Sequence, residues 1–403
     1  MFTKRYLECY RPPEFSGGTN MLGTRVSPRL NRTNPIEMML LVLDITAGST
    51  GPTFASATTT AIVDNILNIV KRVELSITEA QDLSPRLAVA ASGSGLIEYA
   101  EKVGLSLDRS TLQCVALSQG ASLANNLKFR VTIPIYLVEP QIAEPLRNFC
   151  LLPVHTYPVD PILNVDFTAT ADYASSGTIS AIVPHLFIVR RVMSAAQTQQ
   201  IIGQGGFLRQ DLTETLYQLP LGVSGEQRLH LPLSGQVSSM VFRQYLGGST
   251  LTRAVVDQTT TFGSESVWQL QQGTTPKYEW RWKDLHILTD LNNPVAGLPA
   301  NVFVAATSAG AVTTALAVAP AVEGPAASGT TYLNPASNLL DFLSDGSEGA
   351  NELGGLLDLD LPIAQGQNLD LVGNIASVSS NASVVGIVMH KFYGDLSRWV
   401  GVA

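Results

Sequence analysis

Residues 128–137 read KFRVTIPIYL, and this stretch decides the fold. Phe129, Val131, Ile133, Ile135 and Leu137 fall on one side, and Lys128, Arg130, Thr132, Pro134 and Tyr136 on the other. A repeat of two is what a strand with one buried face requires, because successive side chains point to opposite faces of a sheet. A short connector, 139–148, follows between Pro140 and Pro145, and then an apolar patch from Phe149 to Pro153. A second alternating run sets Leu163, Val165 and Phe167 against Asn164, Asp166 and Thr168. Two long strands joined by a compact, proline-rich crossing specify a β-sandwich and not a hairpin.

Working outward, Ile36–Thr46 is an almost continuous apolar run, suited to a strand buried on both faces. The end of 62–77 alternates Val73, Leu75 and Ile77 with polar residues. Ser94 is expected to cap a short helix, Gly95–Val103, ended by Gly104, and Thr111–Leu117 reads as a strand. Ile179–Val192 closes this half as a long strand. Met193–Ile202 reads as a linking helix stopped by Gly203, Gly205 and Gly206. Strands then resume at Leu212–Leu219, Arg228–Leu233, Val237–Leu246, the Tyr278/Trp280/Trp282 run and Ser383–Tyr393. The stretch 297–330, rich in Ala, Thr, Gly and Pro, reads as a long loop and is expected to be an exposed tower. The expected fold class is all-β: two tandem antiparallel β-sandwiches with short helices and long loops, most simply jelly rolls. Residues 1–35 are read as an extended basic arm, 36–192 as the first sandwich and 193–403 as the second.

Charged residues make up only 14% of the 403, against about a quarter in ordinary domains. Such sparse charge suits a subunit whose flanks are covered by other subunits. The charge is also uneven. Lys4, Arg5, Arg11, Arg25, Arg29 and Arg32 face only Glu8 and Glu14 within the first 35 residues, a local balance of +4 on a chain of −8. A basic arm on an acidic body fits an anionic surface, membrane headgroups or nucleic acid. Cys9, Cys114 and Cys150 are too scattered for a disulfide scaffold and are expected to be buried thiols. No spanning helix and no signal peptide is read in the sequence.

Chemistry is sparse. His155, His185, His230, His286 and His390 show no ligand spacing, and no Gly-x-Ser-x-Gly elbow marks a nucleophile. Ser92-Gly-Ser-Gly95 opens a helix as a phosphate cradle does but lacks the third glycine and the lysine of phosphate loops. Asp341, Asp345, Glu348, Glu352, Asp358 and Asp360 form an acidic stretch, read as a solvated loop with calcium as the sharper alternative. The Tyr278/Trp280/Trp282 stripe is read as core, with stacking on sugars as its alternative. No catalytic residue, metal or cofactor is assigned.

Residues 228–244, RLHLPLSGQVSSMVFRQ, resemble the second-half strand pair of double-jelly-roll major capsid proteins. Residues 133–167 resemble the first-half strand, proline-rich crossing and following strand of that family. Gln236 departs from the pattern, standing where many relatives have proline. The resemblance implies a shell protein of a tailless icosahedral virus with an internal membrane, a bacteriophage. Three chains would form a pseudo-hexagonal capsomer, made in the host cytoplasm and located in the virion. Lys4 to Arg32 would face inward, near lipid or minor proteins, and 297–330 outward. Its partners would be sister copies, neighbouring capsomers and penton or minor capsid proteins, with no specific nucleic-acid sequence. The rival class is a carbohydrate-binding or adhesive β-sandwich.

Overall fold

The structure, a computed structural model, describes residues 3–15, 21–47, 69–79, 84–103, 128–140, 142, 144–168, 179–219, 223–232, 234–246, 252–253, 266–281, 284–285, 304–306, 313–315, 337–341, 357–358, 368–375 and 383–393. The first half supplies β1 (Lys4–Tyr10), β2 (Arg25–Val26), β3 (Ile36–Ala47), β4 (Val70–Ile77), β5 (Arg86–Ala91), β6 (Lys128–Tyr136), β7 (Ile162–Phe167) and β8 (Ile179–Val192). The second supplies β9 (Arg209–Leu219), β10 (Gly225–His230), β11 (Gln236–Leu246), β12 (Thr252–Arg253), β13 (Val267–Gln272), β14 (Thr275–Arg281), β15 (Val304–Ala306), β16 (Thr313–Ala315), β17 (Ser337–Asp341), β18 (Leu357–Asp358), β19 (Leu369–Ile375) and β20 (Ser383–Tyr393). Three helices join them: α1 (Gly93–Lys102), α2 (Glu144–Cys150) and α3 (Ala195–Gly203).

The opening stretch forms the expected strand, but Thr132, Pro134 and Tyr136 on its polar side are buried as well, so both of its faces are covered. Val131, Ile133 and Ile135 of β6 are buried, and β6 lies in the sheet β1-β8-β3-β6. The crossing carries the chain to β7, in the facing sheet, where Leu163, Val165 and Phe167 point into the same core. That facing sheet runs on through the second half in the order β12-β11-β20-β9-β5-β4-β7-β2. A third set, β10-β19-β13-β14, covers the far face of β11, β20 and β9, with Met240, Phe242, Trp268, Trp280, Ile387 and Met389 packed between. Burying each such apolar side chain contributes about 1.5–3 kcal/mol.

The two halves join at one parallel contact, β5 to β9, spanning Val89↔Leu212 and Ala90↔Thr213; every other pairing is antiparallel among the described residues. Helix α3 forms in the expected linking segment, with a capping box between Ser194 and Gln197. Gly235 turns β10 into β11 at φ +75°, and a Cβ there would lie 2.6 Å from the Phe392 carbonyl oxygen, so this turn needs glycine.

Four expectations need correction. The connector 139–148 contains the start of helix α2, because Pro145 falls in the first turn, where proline is tolerated. The cap of α1 is Ser92, not Ser94, since the Ser92 hydroxyl accepts from Gly95 N–H at 3.0 Å. Cys9 is exposed, lying on an edge strand, while Cys150 is buried. The segment read as a free arm is woven into the first sandwich. Strand β1 pairs along its whole length with β8, and β2 pairs with β7, so the segment touches both sheets. Strands β5, β13 and β19 carry no alternation long enough to have been read. Thr111–Leu117, Gly104, Cys114, His286, Trp282 and most of 297–330 lie outside the described residues.

Candidate functional site: the seam between the sandwiches

The densest buried chemistry lies where α1 crosses onto the second half. Leu96, Ile97, Tyr99, Ala100 and Val103 are all buried, so α1 is apolar around most of its girth and must be covered on every side. Two glycines let it fit. A Cβ on Gly93 would sit 2.8 Å from Val70 Cβ and 3.1 Å from Ile133 Cδ1, on the first sandwich. A Cβ on Gly95 would overlap the Arg243 guanidinium and sit 2.9 Å from Glu214 Oε2, on the second. Positions two apart on a helix differ by about 200°, so the glycines serve opposite faces. The Ser-Gly-Ser-Gly motif is thus a close-packing device, and the helix end that a phosphate would occupy holds protein groups.

Those groups form a clamp. Arg243, on β11, is 1% exposed. Its Nη1 donates to Glu214 Oε1 at 2.5 Å and to Ser92 Oγ at 3.2 Å, and its Nη2 donates to Ser94 Oγ at 2.8 Å. Its Nε lies 2.6 Å from Glu98 Oε2, a charge contact and not an aligned hydrogen bond. The Ser92 amide donates to Glu214 Oε2 at 2.6 Å, so the positive end of α1 helps balance two carboxylates around one guanidinium.

A second group lies beside it. Tyr99 of α1 donates to Glu139 Oε1 at 3.3 Å and shares a hydrogen bond with Ser239 at 3.0 Å. Ser238 Oγ meets His390 Nδ1 at 2.8 Å, and Glu139 Oε2 lies 3.5 Å from that same nitrogen. Ser238, His390 and Glu139 therefore do not form a proton relay, which needs the two imidazole nitrogens to have different partners. Burial pushes the Glu139 carboxyl up, but His390 and the Ser238 and Ser239 hydroxyls outweigh it and hold it below the usual carboxylate value. At the β5–β9 junction, Arg86 binds Glu79 at 2.6 Å and also pairs with Asp211.

His155 ties the linking helix down, sharing a hydrogen bond with Thr198 at 3.2 Å and packing edge-on to Phe207. Burial holds its imidazole below the ordinary value. Both His155 and Glu139 have lowered values when folded, so each contributes stability that is present above its unfolded value and is lost on acidification. Thermal melts are expected to fall from about pH 6.5 downward as the unfolded chain protonates His155, and again below about pH 4.5 through Glu139. His155→Phe should flatten the first of these slopes; an unchanged slope would contradict its assignment.

The basic residues singled out in the sequence are exposed, but three already have carboxylate partners. Arg5 lies 3.4 Å from Glu37, Arg25 contacts Glu74 at 3.0 Å and Asp166 at 3.5 Å, and Arg32 contacts Asp160 at 2.8 Å. Lys4, Arg11 and Arg29 are exposed on the same segment. His185 pairs with Asp44 at 3.1 Å, and His230 with Asp370 at 2.5 Å. Trp280 is buried against Phe242, with ring centres 5.6 Å apart, as core packing requires. Asp341 and Asp358 fall in short strands beside β11, and the other four acids of that stretch lie outside the described residues. Among the described residues no group of three His, Cys, Asp or Glu is arranged to hold a metal. Sequence reading missed Glu98, Glu139, Glu214 and Arg243, whose partners lie 29 or more positions away along the chain.

No protein-family model matches the chain, and no curated protein does. Solved structures do. The STIV MCP, from Sulfolobus turreted icosahedral virus, superposes with a TM-score of 0.59 at 14% identity, covering 99% of this chain and 100% of that one. VP54 of PBCV-1 gives 0.58 at 11% identity, covering 97% and 94%. The major capsid protein P2 of bacteriophage PM2 gives 0.50 at 10% identity, covering 97% and 98%. These likenesses show the fold: the chain is an all-β double jelly roll.

Proposed function

We propose that this chain is the major capsid protein of a tailless icosahedral virus, a membrane-containing bacteriophage, and that it assembles as pseudo-hexameric homotrimers tiling the shell. The observation that carries this reading is the joining of two jelly rolls into one block, through a continuous sheet and a buried seam, in a chain matched end to end by capsid subunits. Residues 36–192, with β1 and β2 of the N-terminal segment added to their sheets, and residues 193–403 are the two rolls. A trimer of two-roll chains presents six similar corners, so one sequence fills a hexagonal position. Flanks with little charge bury cheaply, and a closed shell multiplies contacts that are each modest.

On this reading the partners are sister copies, neighbouring capsomers, and minor capsid or penton proteins, with localisation in the virion after synthesis in the host cytoplasm. Lys4, Arg5, Arg11, Arg25, Arg29 and Arg32 face the interior, where the unpaired cations among them meet anionic lipid of the internal membrane or a neighbour's acidic body. The mechanism is association, with no bond made or broken in a substrate. A carbohydrate-binding or adhesive sandwich would need an exposed aromatic platform, and the buried Trp280 does not supply one. Electron microscopy of the concentrated protein is expected to show hexagonal capsomers or sheets of them; isolated two-lobed particles at every concentration would contradict the proposal.

A further inference from the structure

We propose that the Arg243 clamp is a positioning device that fixes the angle between the two jelly rolls, and that it serves assembly and not folding stability. The assembly half of this statement rests on the capsid reading above.

Other polar contacts also cross between the halves, Arg86 to Asp211 and Glu139 to His390 among them, but among the described residues the Arg243 guanidinium engages the most groups across the seam, Ser92, Ser94 and Glu98. Among the described residues the strands of the two halves pair at Val89↔Leu212 and Ala90↔Thr213, and Leu208 N–H adds one hydrogen bond to the Phe149 carbonyl, a narrow contact about which two rigid sheets can pivot. The apolar contacts across the seam, Leu212, Val241 and Val388 against the first core and Met193, Ile201, Leu208 and Phe392 against Phe149 and Leu151, are non-directional and tolerate sliding. The clamp is different. A guanidinium is a planar fork whose donors point in fixed directions, and it is held in one place by partners on two sides. Ser92, Ser94 and Glu98 belong to the cap and body of α1, and Glu214 belongs to β9 beside Arg243's own β11. A change of angle between the rolls separates these groups in a dry environment, where lost partners are not replaced by water. Buried ion groups exchanged whole for apolar ones often leave stability unchanged, so their retention points to geometry. A pseudo-hexagon of three chains needs that geometry, because an error in one angle recurs three times around a closed ring.

The test removes the clamp whole: Arg243→Met with Glu98→Leu and Glu214→Gln, the glutamine keeping an acceptor for the Ser92 amide. Spin labels on Val159→Cys and Lys277→Cys, in a Cys9→Ser, Cys114→Ser background, report the distance between the rolls by pulsed electron resonance. The parent is expected to give one narrow distance peak. The variant is expected to melt within roughly 5 °C of it, with a peak at least about twice as broad and about tenfold less assembled material at equal concentration. A second variant, Arg243→Lys, keeps the charge, loses the fork and should broaden the peak as well. A peak as narrow as the parent's in both variants overturns the positioning role. A large fall in melting temperature assigns the clamp to stability and overturns the proposal too. A broad peak with undiminished assembly overturns the assembly half. Should the parent itself fail to assemble while the peaks still differ, the capsid reading fails and the positioning role stands.

Discussion

Gly95→Ala is expected to destabilise the protein by about 3–5 kcal/mol, although helix propensity alone predicts a gain of about 1 kcal/mol. The added methyl would enter the space held by the Arg243 guanidinium and come within 2.9 Å of Glu214 Oε2. An arginine tip usually moves aside at little cost. This one is held by two buried carboxylates and two serines, and displacing it leaves Glu98 and Glu214 without their counter-charge. The steric and electrostatic costs therefore exceed the propensity gain. Gly203→Ala is the control: at the end of α3 a Cβ meets nothing within 4 Å, so propensity should act alone and stability should hold or rise. Chemical denaturation of the two variants checks the pair, and equal behaviour would contradict the close-packed seam.

Arg190→Leu is expected to cost about 3 kcal/mol and to release the N-terminal segment. Arg190 is fully buried and donates to Glu8 at 2.5 Å, to the Asn34 carbonyl at 2.6 Å, to the Asn31 carbonyl at 3.2 Å and to the Asn31 side chain. Leucine fills part of the volume but leaves Glu8 with Asn31 Nδ2 as its remaining side-chain donor and takes the arginine's donors from the Asn31 and Asn34 carbonyls. Glu8 is partly solvated, which places the loss toward the lower end of the range for a broken buried pair. Hydrogen exchange over residues 4–10 should quicken, and proteolysis before residue 35 should precede cleavage elsewhere. Unchanged protection of β1 would show that backbone pairing with β8 suffices without the ion pair.

The same segment shows where sequence reading stops. Its inward residues on β1 are Tyr6, Glu8 and Tyr10, half-buried, and Glu8 is balanced by an arginine 182 positions later. No hydrophobic period marks such a strand, so it read as an arm. By contrast β3, β4, β7 and β20 were legible because their burial follows the alternation or the continuous apolar run in their own residues, and β6 was legible as a strand although both its faces are buried. Strand β11 was legible as a strand but not as a site. Alternation sets Met240 and Phe242 on one side and Arg243 on the other, and says nothing of what covers that other side. Helix α1 covers that second face, so Val241 and Arg243 are buried as well. The signal was present in Ser92-Gly-Ser-Gly95, but two glycines at a helix start suit close packing as well as a phosphate. Only the position of Arg243 in space separates the two readings.

On the proposed reading, the fold and the seam belong to a block that stands beside copies of itself. Size-exclusion chromatography with light scattering on the full chain tests that claim most directly. A stable trimer of the 43.0 kDa chain is the result this account predicts, and a 43.0 kDa monomer that persists as concentration rises would contradict it.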